Sequence, residues 1–247
     1  MAAACPGVSH ERTGTRLQDA YTCFVPRDAC ADVLVAFVSD GAGSASHGGE
    51  GASLICRTLA ELSRVYFREN DQLPSDAVLF DWVDAARDRI WAAAKRRGLM
   101  PRDFAGTLVG AISTGASSVV AHVGDGCAAV LDANGKWSVP SWPEHGEYAS
   151  TTHFVTDDVC ARLRIERVEF EIVGLAVLSD GLERLALQFS DHTPFAAFFD
   201  GMAKPLLASK GVGRDRGLSG ALRRYLESDA INSRTDDDKS IVLAVRA

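Results

Sequence analysis

The chain has 247 residues, 47% hydrophobic and 24% charged, which is ordinary usage for one globular domain of generous size or two small ones and excludes disordered and fibrous classes. With 26 Lys and Arg against 33 Asp and Glu the net charge is −7, so no field draws in nucleic acid or an anionic lipid surface. The apolar runs 33–38 and 172–178 are far shorter than the roughly 18 residues of a membrane span, the start of the chain lacks a basic flank followed by a long apolar core, and the six cysteines contain no CxxC pair. These features predict a cytoplasmic protein with reduced thiols, no zinc site, and neither nucleic acid nor membrane among its partners.

In chain order, 31–39 is a short branched apolar run ended by Asp-Gly, the pattern of a buried strand stopping at a turn. From Gly49, residues Ala52, Ile55, Leu59, Leu62 and Tyr66 recur at helical spacing. After Pro74 a second helix carries Leu79, Val83, Ala86, Ile90 and Ala93, and the two helices are expected to cover one side of a sheet. Segments 107–113, 117–123 and 128–131, divided by Thr114-Gly115 and Gly124-Asp125-Gly126 and closed by Asn134-Gly135, predict an antiparallel meander. Segment 138–158 has no clear period and is expected to be a surface loop or flap, with Glu147, Tyr148, Thr152 and His153 available to shape a substrate groove.

Segments 168–173 and 175–178 predict a strand pair ending in a second Ser-Asp-Gly. Helical stretches follow near 182–189, 195–207 and 218–226, and 240–245 reads as a last strand behind the acidic run 236–238. No repeat or composition break divides the chain, so residues 1–247 are expected to form one mixed domain of antiparallel sheets with helical covers, an α+β architecture. The four tryptophans, Trp82, Trp91, Trp137 and Trp142, have no basic residues interleaved and are expected to pack rather than to stack on a ligand.

Asp19, Asp40, Asp125, Asp180 and Asp237 or Asp238 all fall at edges of strand-like segments, several of them followed by Gly. Taken singly, each is a plain turn. Gathered at one rim, uncompensated carboxylates repel, and they either spread into solvent or share hard divalent cations, with an oxygen-only set selecting Mg²⁺ or Mn²⁺ over zinc.

The order of these pieces resembles the metal-dependent protein phosphatase family known as protein phosphatase 2C. The segments carrying the resemblance are Gln18-Asp19-Ala20-Tyr21, VSDGAGSASHGGEGAS at 38–53, FAGTLVGAI at 104–112, AHVGDG at 121–126, VLSDGLERL at 177–185 and DDDKSIVLAV at 236–245. They span nearly the whole chain and suggest a divergent stand-alone bacterial branch. The resemblance implies a four-layer sandwich, two mostly antiparallel β-sheets flanked by helices. It also implies a hydrolase in which a metal-bridging water attacks phosphorus without a phospho-enzyme. Carried over by position, Asp40 bridges two ions with the Gly41 carbonyl as a further ligand, Asp180 and Asp237 complete one ion, Asp19 holds the other, and Asp125 belongs to a third, weaker position. Thr107 falls at a position that packs under the site. The implied function is a Mg²⁺- or Mn²⁺-dependent Ser/Thr phosphoprotein phosphatase in bacterial signalling, acting on phosphorylated proteins, either a cognate kinase or its targets, with a monomer as the default state.

The sequence departs from that family pattern at three places. Gln18 replaces the usual Glu, Gly14 stands where a phosphate-binding Arg is usual, and Ala42 follows the bridging Asp-Gly where a His is often found. If 9–19 is extended, His10, Arg12, Arg16 and Gln18 share one face by the two-residue period, so that either Arg can reach a phosphate and His10 can donate a proton. His47, in the loop after Asp40, is a further candidate substrate contact. The departures leave open a pseudophosphatase or phosphoprotein-binding module without turnover. A hydrolase of small phosphoesters lacks support, since no GxxxxGK cradle is present.

Overall fold

The computed structural model describes residues 1–27, 32–144, 152–157 and 160–246. In chain order it contains β1 (Ala2–Cys5), α1 (Val8–Thr13), β2 (Ala20–Phe24), β3 (Leu34–Ser39), α2 (Gly48–Glu69), α3 (Asp76–Arg97), β4 (Leu108–Ser113), β5 (Ser118–Val123), β6 (Cys127–Asp132), β7 (Trp137–Ser141), β8 (Arg164–Val168) and β9 (Ile172–Leu178). Then follow α4 (Glu183–Ala186), β10 (Leu187–Gln188), β11 (Thr193–Pro194), α5 (Ala196–Leu207), α6 (Arg216–Leu226), α7 (Asp229–Asn232) and β12 (Lys239–Val245).

Two five-stranded antiparallel sheets, ordered β2-β3-β4-β5-β8 and β1-β12-β9-β6-β7, stack face to face. The period-2 alternation of the strands sorts their side chains into three apolar layers. In β3, Val35 and Phe37 face α2 and α3 together with Ile55, Leu59 and Ile90, while Ala36 and Val38 face the other sheet with Val109, Val120, Val130 and Val177. On the far side Ala129, Ala176, Leu178, Ile241 and Leu243 bury against Phe199 and Met202 of α5 and Leu222 and Leu226 of α6. The result is the four-layer helix-sheet-sheet-helix sandwich expected. Helix α3 begins at an N-cap Ser75 whose side chain accepts from the Val78 N–H and ends at Gly98 with φ 67°.

Four expectations need correction. The meander breaks at Gly124-Asp125-Gly126, because β5 and β6 belong to different sheets and the turn carries the chain from one to the other. Segment 138–158 is not loop throughout, since Trp137–Ser141 pairs with β6 as β7. The strand pair at 168–178 is instead one strand, β9, preceded by β8 in the opposite sheet. The helix near 182–189 shrinks to α4, after which the chain turns into the small β10–β11 hairpin. Among the described residues no helix is long and apolar enough to cross a membrane.

Candidate active site

Strand register decides which loops meet. Ala20 pairs with Ser39, Leu108 with Val123, and Leu178 with both Ile241 and Cys127. Consequently the start of β2, the end of β3, the β5–β6 crossing, the end of β9 and the start of β12 all open at one end of the sandwich. Asp19, Asp40, Asp125, Asp180 and Asp237 stand at those five places.

Tight backbone approach makes this rim possible. A Cβ on Gly41 would meet the Gly48 carbonyl carbon at 2.2 Å, and one on Gly181 would meet the Asp238 carbonyl oxygen at 1.9 Å. Asp40-Gly41 and Asp180-Gly181 are each also preceded by a buried serine that braces the site. Ser39 Oγ donates to the Thr107 carbonyl (2.6 Å), while Thr107 Oγ1 accepts from the Asp40 N–H (3.0 Å). Ser179 Oγ donates to Asp19 Oδ2 (2.7 Å) and accepts from the Ser240 N–H (2.9 Å), tying the start of β2 to the ends of β9 and β12. Thr107 thus lies under the site as expected. Sequence reasoning missed Ser179, although the repeated Ser-Asp-Gly was the available signal.

The carboxylates are electrostatically strained. Burial, followed by the charges of Asp19 and Asp180, holds the Asp40 carboxyl well above the usual carboxylate range, with Asp237 adding to the effect. Burial and then the charges of Asp125, Asp237 and Asp19 do the same to Asp180. Burial pushes Asp19 up to about 6, opposed by hydrogen bonds from Asp40, Ser179 and Ser240. Among the described residues no three His, Cys, Asp or Glu side chains are drawn into a ready-made chelate, so the carboxylates stand within Coulombic reach of one another rather than closed around a point.

The donor set fits a hard divalent cation. Asp19 Oδ1 and Gln18 Oε1 are buried with no hydrogen-bond partner among the described residues, and all the converging donors are oxygens. A cation supplies both what the orphaned lone pairs lack and the charge that the repelling carboxylates need.

The adjacent acids Asp237 and Asp238 separate cleanly. Asp238 is 1% exposed, and its oxygens accept from the Gly7 N–H (2.7 Å), the Gln18 N–H (2.6 Å) and His10 Nδ1 (2.8 Å). Asp237 is exposed, accepts among the described residues from the Asp238 N–H alone (2.8 Å) and acts on Asp40 and Asp180 through its charge. Asp238 is therefore a structural anchor, and Asp237 is the acid left free to serve the rim.

The proposed substitutes for the missing Arg and His fare differently. Segment 9–19 is not extended: α1 occupies Val8–Thr13 and ends at Gly14 with φ 69°, a left-handed cap that any side chain would strain. The helix takes His10 to Asp238 and leaves Arg12 and Arg16 exposed, so the shared face does not form. Gln18 is buried beside Asp19, its Nε2 donating to the loop carbonyl of Ala45 (3.5 Å). His47 stands at the N-cap position of α2, its Nδ1 against Ser46 Oγ (2.9 Å) and its ring against Phe104 (5.1 Å between centroids). Glu147 and Tyr148 lie outside the described residues. Thr152 Oγ1 donates to the Glu144 carbonyl (3.4 Å), and His153 pairs with Asp157 (3.6 Å).

A family model described as protein phosphatase 2C matches residues 6–227. The chain belongs to the protein phosphatase 2C family. It is 36% identical over 216 residues, 87% of this chain and 85% of the other, to serine/threonine-protein phosphatase 3 of Escherichia coli (strain K12). Solved members of the same fold include PppA of Pseudomonas aeruginosa, a key regulatory component of T6SS (TM-score 0.68, 17% identity, 100% of this chain and 96% of that one). Another is serine/threonine phosphatase Stp1 of Staphylococcus aureus (TM-score 0.65, 17% identity, 100% and 94%). A third is the catalytic domain of the protein phosphatase PstP in complex with two manganese ions (TM-score 0.65, 17% identity, 99% and 96%).

Proposed function

We propose that this member of the protein phosphatase 2C family is a Mg²⁺- or Mn²⁺-dependent serine/threonine phosphoprotein phosphatase. The observation that carries the reading is the convergence of Asp19, Asp40, Asp180 and Asp237 from both sheets on one rim, with buried oxygens that lack partners. The serine/threonine-specific name of the Escherichia coli relative supports the substrate class, and the manganese complex of the PstP domain supports the ion. The pairing of β1 with β12 across almost the full length supports reading 1–247 as one catalytic domain.

Asp40, with the Gly41 carbonyl as a further ligand, would serve two ions, Asp180 and Asp237 would complete one of them, Asp19 would hold the other, and Asp125 would belong to a weaker third position. Bound ions at such a site supply Lewis acidity that activates water and offsets charge on the phosphoryl oxygens. The protein's part is orientation: Thr107 fixes the Asp40 backbone, Ser179 fixes the Asp19 carboxylate, and Asp238 holds the chain entering Gln18-Asp19. His10 is engaged by Asp238, so we assign it no proton-transfer role. A phosphorylated protein, either a kinase or its target, is the substrate we expect, and free thiols at Cys5, Cys23, Cys56, Cys127 and Cys160 suit the cytoplasm.

The test is phosphate release from p-nitrophenyl phosphate and from a phosphothreonine peptide with Mn²⁺, Mg²⁺ or EDTA. Metal-dependent turnover lost in Asp40→Asn and Asp180→Asn is the expected result. Folded protein inert with every ion would instead favour a binding module without turnover.

A further inference from the structure

A cavity of about 210 Å³ opens beside α4, and its walls include Arg184, Arg234, Leu187 and Phe195. That volume is below the roughly 300 Å³ at which cofactor and ligand pockets begin, so it suits one side chain rather than a small molecule. Its position follows from the chain. Arg184 lies four residues after Asp180 in a helical stretch rising about 1.5–2 Å per residue, hence about 6–8 Å along it. Arg234 precedes Asp237 by three residues, at most about 11 Å away. The two arginines therefore flank the acidic rim from two different segments.

Both side chains are exposed, and neither has a carboxylate partner among the described residues. Arg89, Arg97, Arg162, Arg164, Arg167 and Arg223 hold acids within 3.1 Å, whereas Arg184 and Arg234 share their lack of such a partner among the described residues with several other surface arginines such as Arg57 and Arg216 and differ from them in lining one cavity together. In a chain of net charge −7, two unpaired guanidiniums on one cavity leave a local demand for an anion that the protein does not meet itself. Leu187 is buried and forms an apolar floor, and Phe195, 42% exposed, forms an apolar lip.

The adjoining β10–β11 hairpin is held in a costly shape. His192 has φ 53°, the one positive φ outside glycine among the described residues, and its ring stacks on Trp142 at 4.1 Å. Strain of this kind, of order 1–3 kcal/mol, persists where surrounding structure enforces it and clusters at binding surfaces.

We propose that this cavity is a substrate-docking subsite that accepts an anionic side chain two to four residues from the phosphorylated residue. The inference rests on the phosphatase reading and adds a sequence preference to it. An extended peptide advances about 3.3 Å per residue, so those offsets span the distance from rim to cavity. The anion is a carboxylate or a second phosphate, each matched by the planar donor fork of arginine.

The experiment is a scan of phosphothreonine peptides with Mn²⁺ in which Ala, Glu, phosphoserine or Lys occupies each position within four residues of the phosphothreonine. KM and kcat are measured for wild type, for Arg184→Glu/Arg234→Glu and for Arg184→Lys/Arg234→Lys. At one offset the wild type should favour Glu or phosphoserine over Ala by about tenfold in kcat/KM, expressed in KM. Charge reversal should abolish the preference or turn it toward Lys, and the lysine pair should keep part of it. The Glu and phosphoserine arms tell which anion is preferred. Single reversals carry the same comparison if the double variant does not fold. A flat scan with hydrolysis intact, or a preference that survives charge reversal, overturns the subsite while leaving the phosphatase reading standing. Folded wild type that hydrolyses no peptide removes both.

Discussion

Two neighbouring carboxylates should give opposite phenotypes when each is made an amide. In the wild type, Asp238 Oδ1 serves the Gly7 N–H and His10 Nδ1, and Oδ2 the Gln18 N–H at 2.6 Å, and Asp238→Asn takes one of these oxygens away. An amide has one oxygen, so either orientation turns an NH₂ toward a buried backbone N–H and orphans at least that donor. Losing a charge-assisted bond and leaving a buried donor unsatisfied costs about 2–4 kcal/mol. For a chain of this size about 3 kcal/mol corresponds to a fall of roughly 6–12 °C in Tm. Asp237→Asn keeps an oxygen for the Asp238 N–H and removes one exposed, repelling charge, so its stability should stay within about 0.5 kcal/mol of wild type. Its Mn²⁺ affinity should instead fall by about tenfold or more. Urea unfolding in EDTA measures the first quantity and calorimetric Mn²⁺ titration the second. A stable Asp238→Asn beside an unfolded Asp237→Asn would refute the division of labour argued from their burial.

Removing the metal and changing pH should act together: in EDTA, the raised carboxyls of Asp19, Asp40 and Asp180 hold protons that the unfolded chain releases. Their contribution is complete below about pH 4 and lost as pH rises through about 6 and above, so urea stability should drop from pH 5 to pH 8, and saturating Mn²⁺ should abolish that slope. Mn²⁺ at about 100 times its Kd should add about 2.7 kcal/mol to wild type and much less to Asp40→Asn, read as a Tm shift. Thr107→Val orphans the Asp40 N–H and should cost about 1–3 kcal/mol in urea unfolding while weakening Mn²⁺ binding in the same sample. Gly181→Ala drives a methyl into the Asp238 carbonyl and should destabilise by about 1–3 kcal/mol or more, whereas Gly135→Ala, with open space around it at φ 79°, should cost less.

The central strands and long helices were legible because β3, β4, α2 and α3 bury continuous or strongly periodic apolar faces. Edge elements were not. β8, Arg-Ile-Glu-Arg-Val, is half polar because one face meets solvent, and six-residue α1 is too short for its period to show. The Gly-Asp-Gly crossing looks the same whether it closes a hairpin or changes sheet, since the distinction lies in what Val123 and Ala128 face across space. At the site, Asp-Gly after an apolar run marked Asp40 and Asp180, but the residues alone left Asp237 and Asp238 equivalent, the resemblance picked Asp237, and burial gives the physical reason. His10 was misplaced because a two-residue period was applied to a segment that coils, and the arginines at 184 and 234 share a cavity only once α4 and the segment between α7 and β12 are brought together.

The pairing of β1 with β12 also sets a timetable. Residues 2–5 lie against 239–242, and Asp238 and Ser240 help to fix the chain around Gln18 and Asp19. These contacts join segments more than two hundred residues apart, so a nascent chain on the ribosome cannot assemble the rim until 237–245 have left the exit tunnel, and the slow, high-separation closure comes last. Unfinished chains would thus carry no competent rim, whatever else of the sandwich had formed.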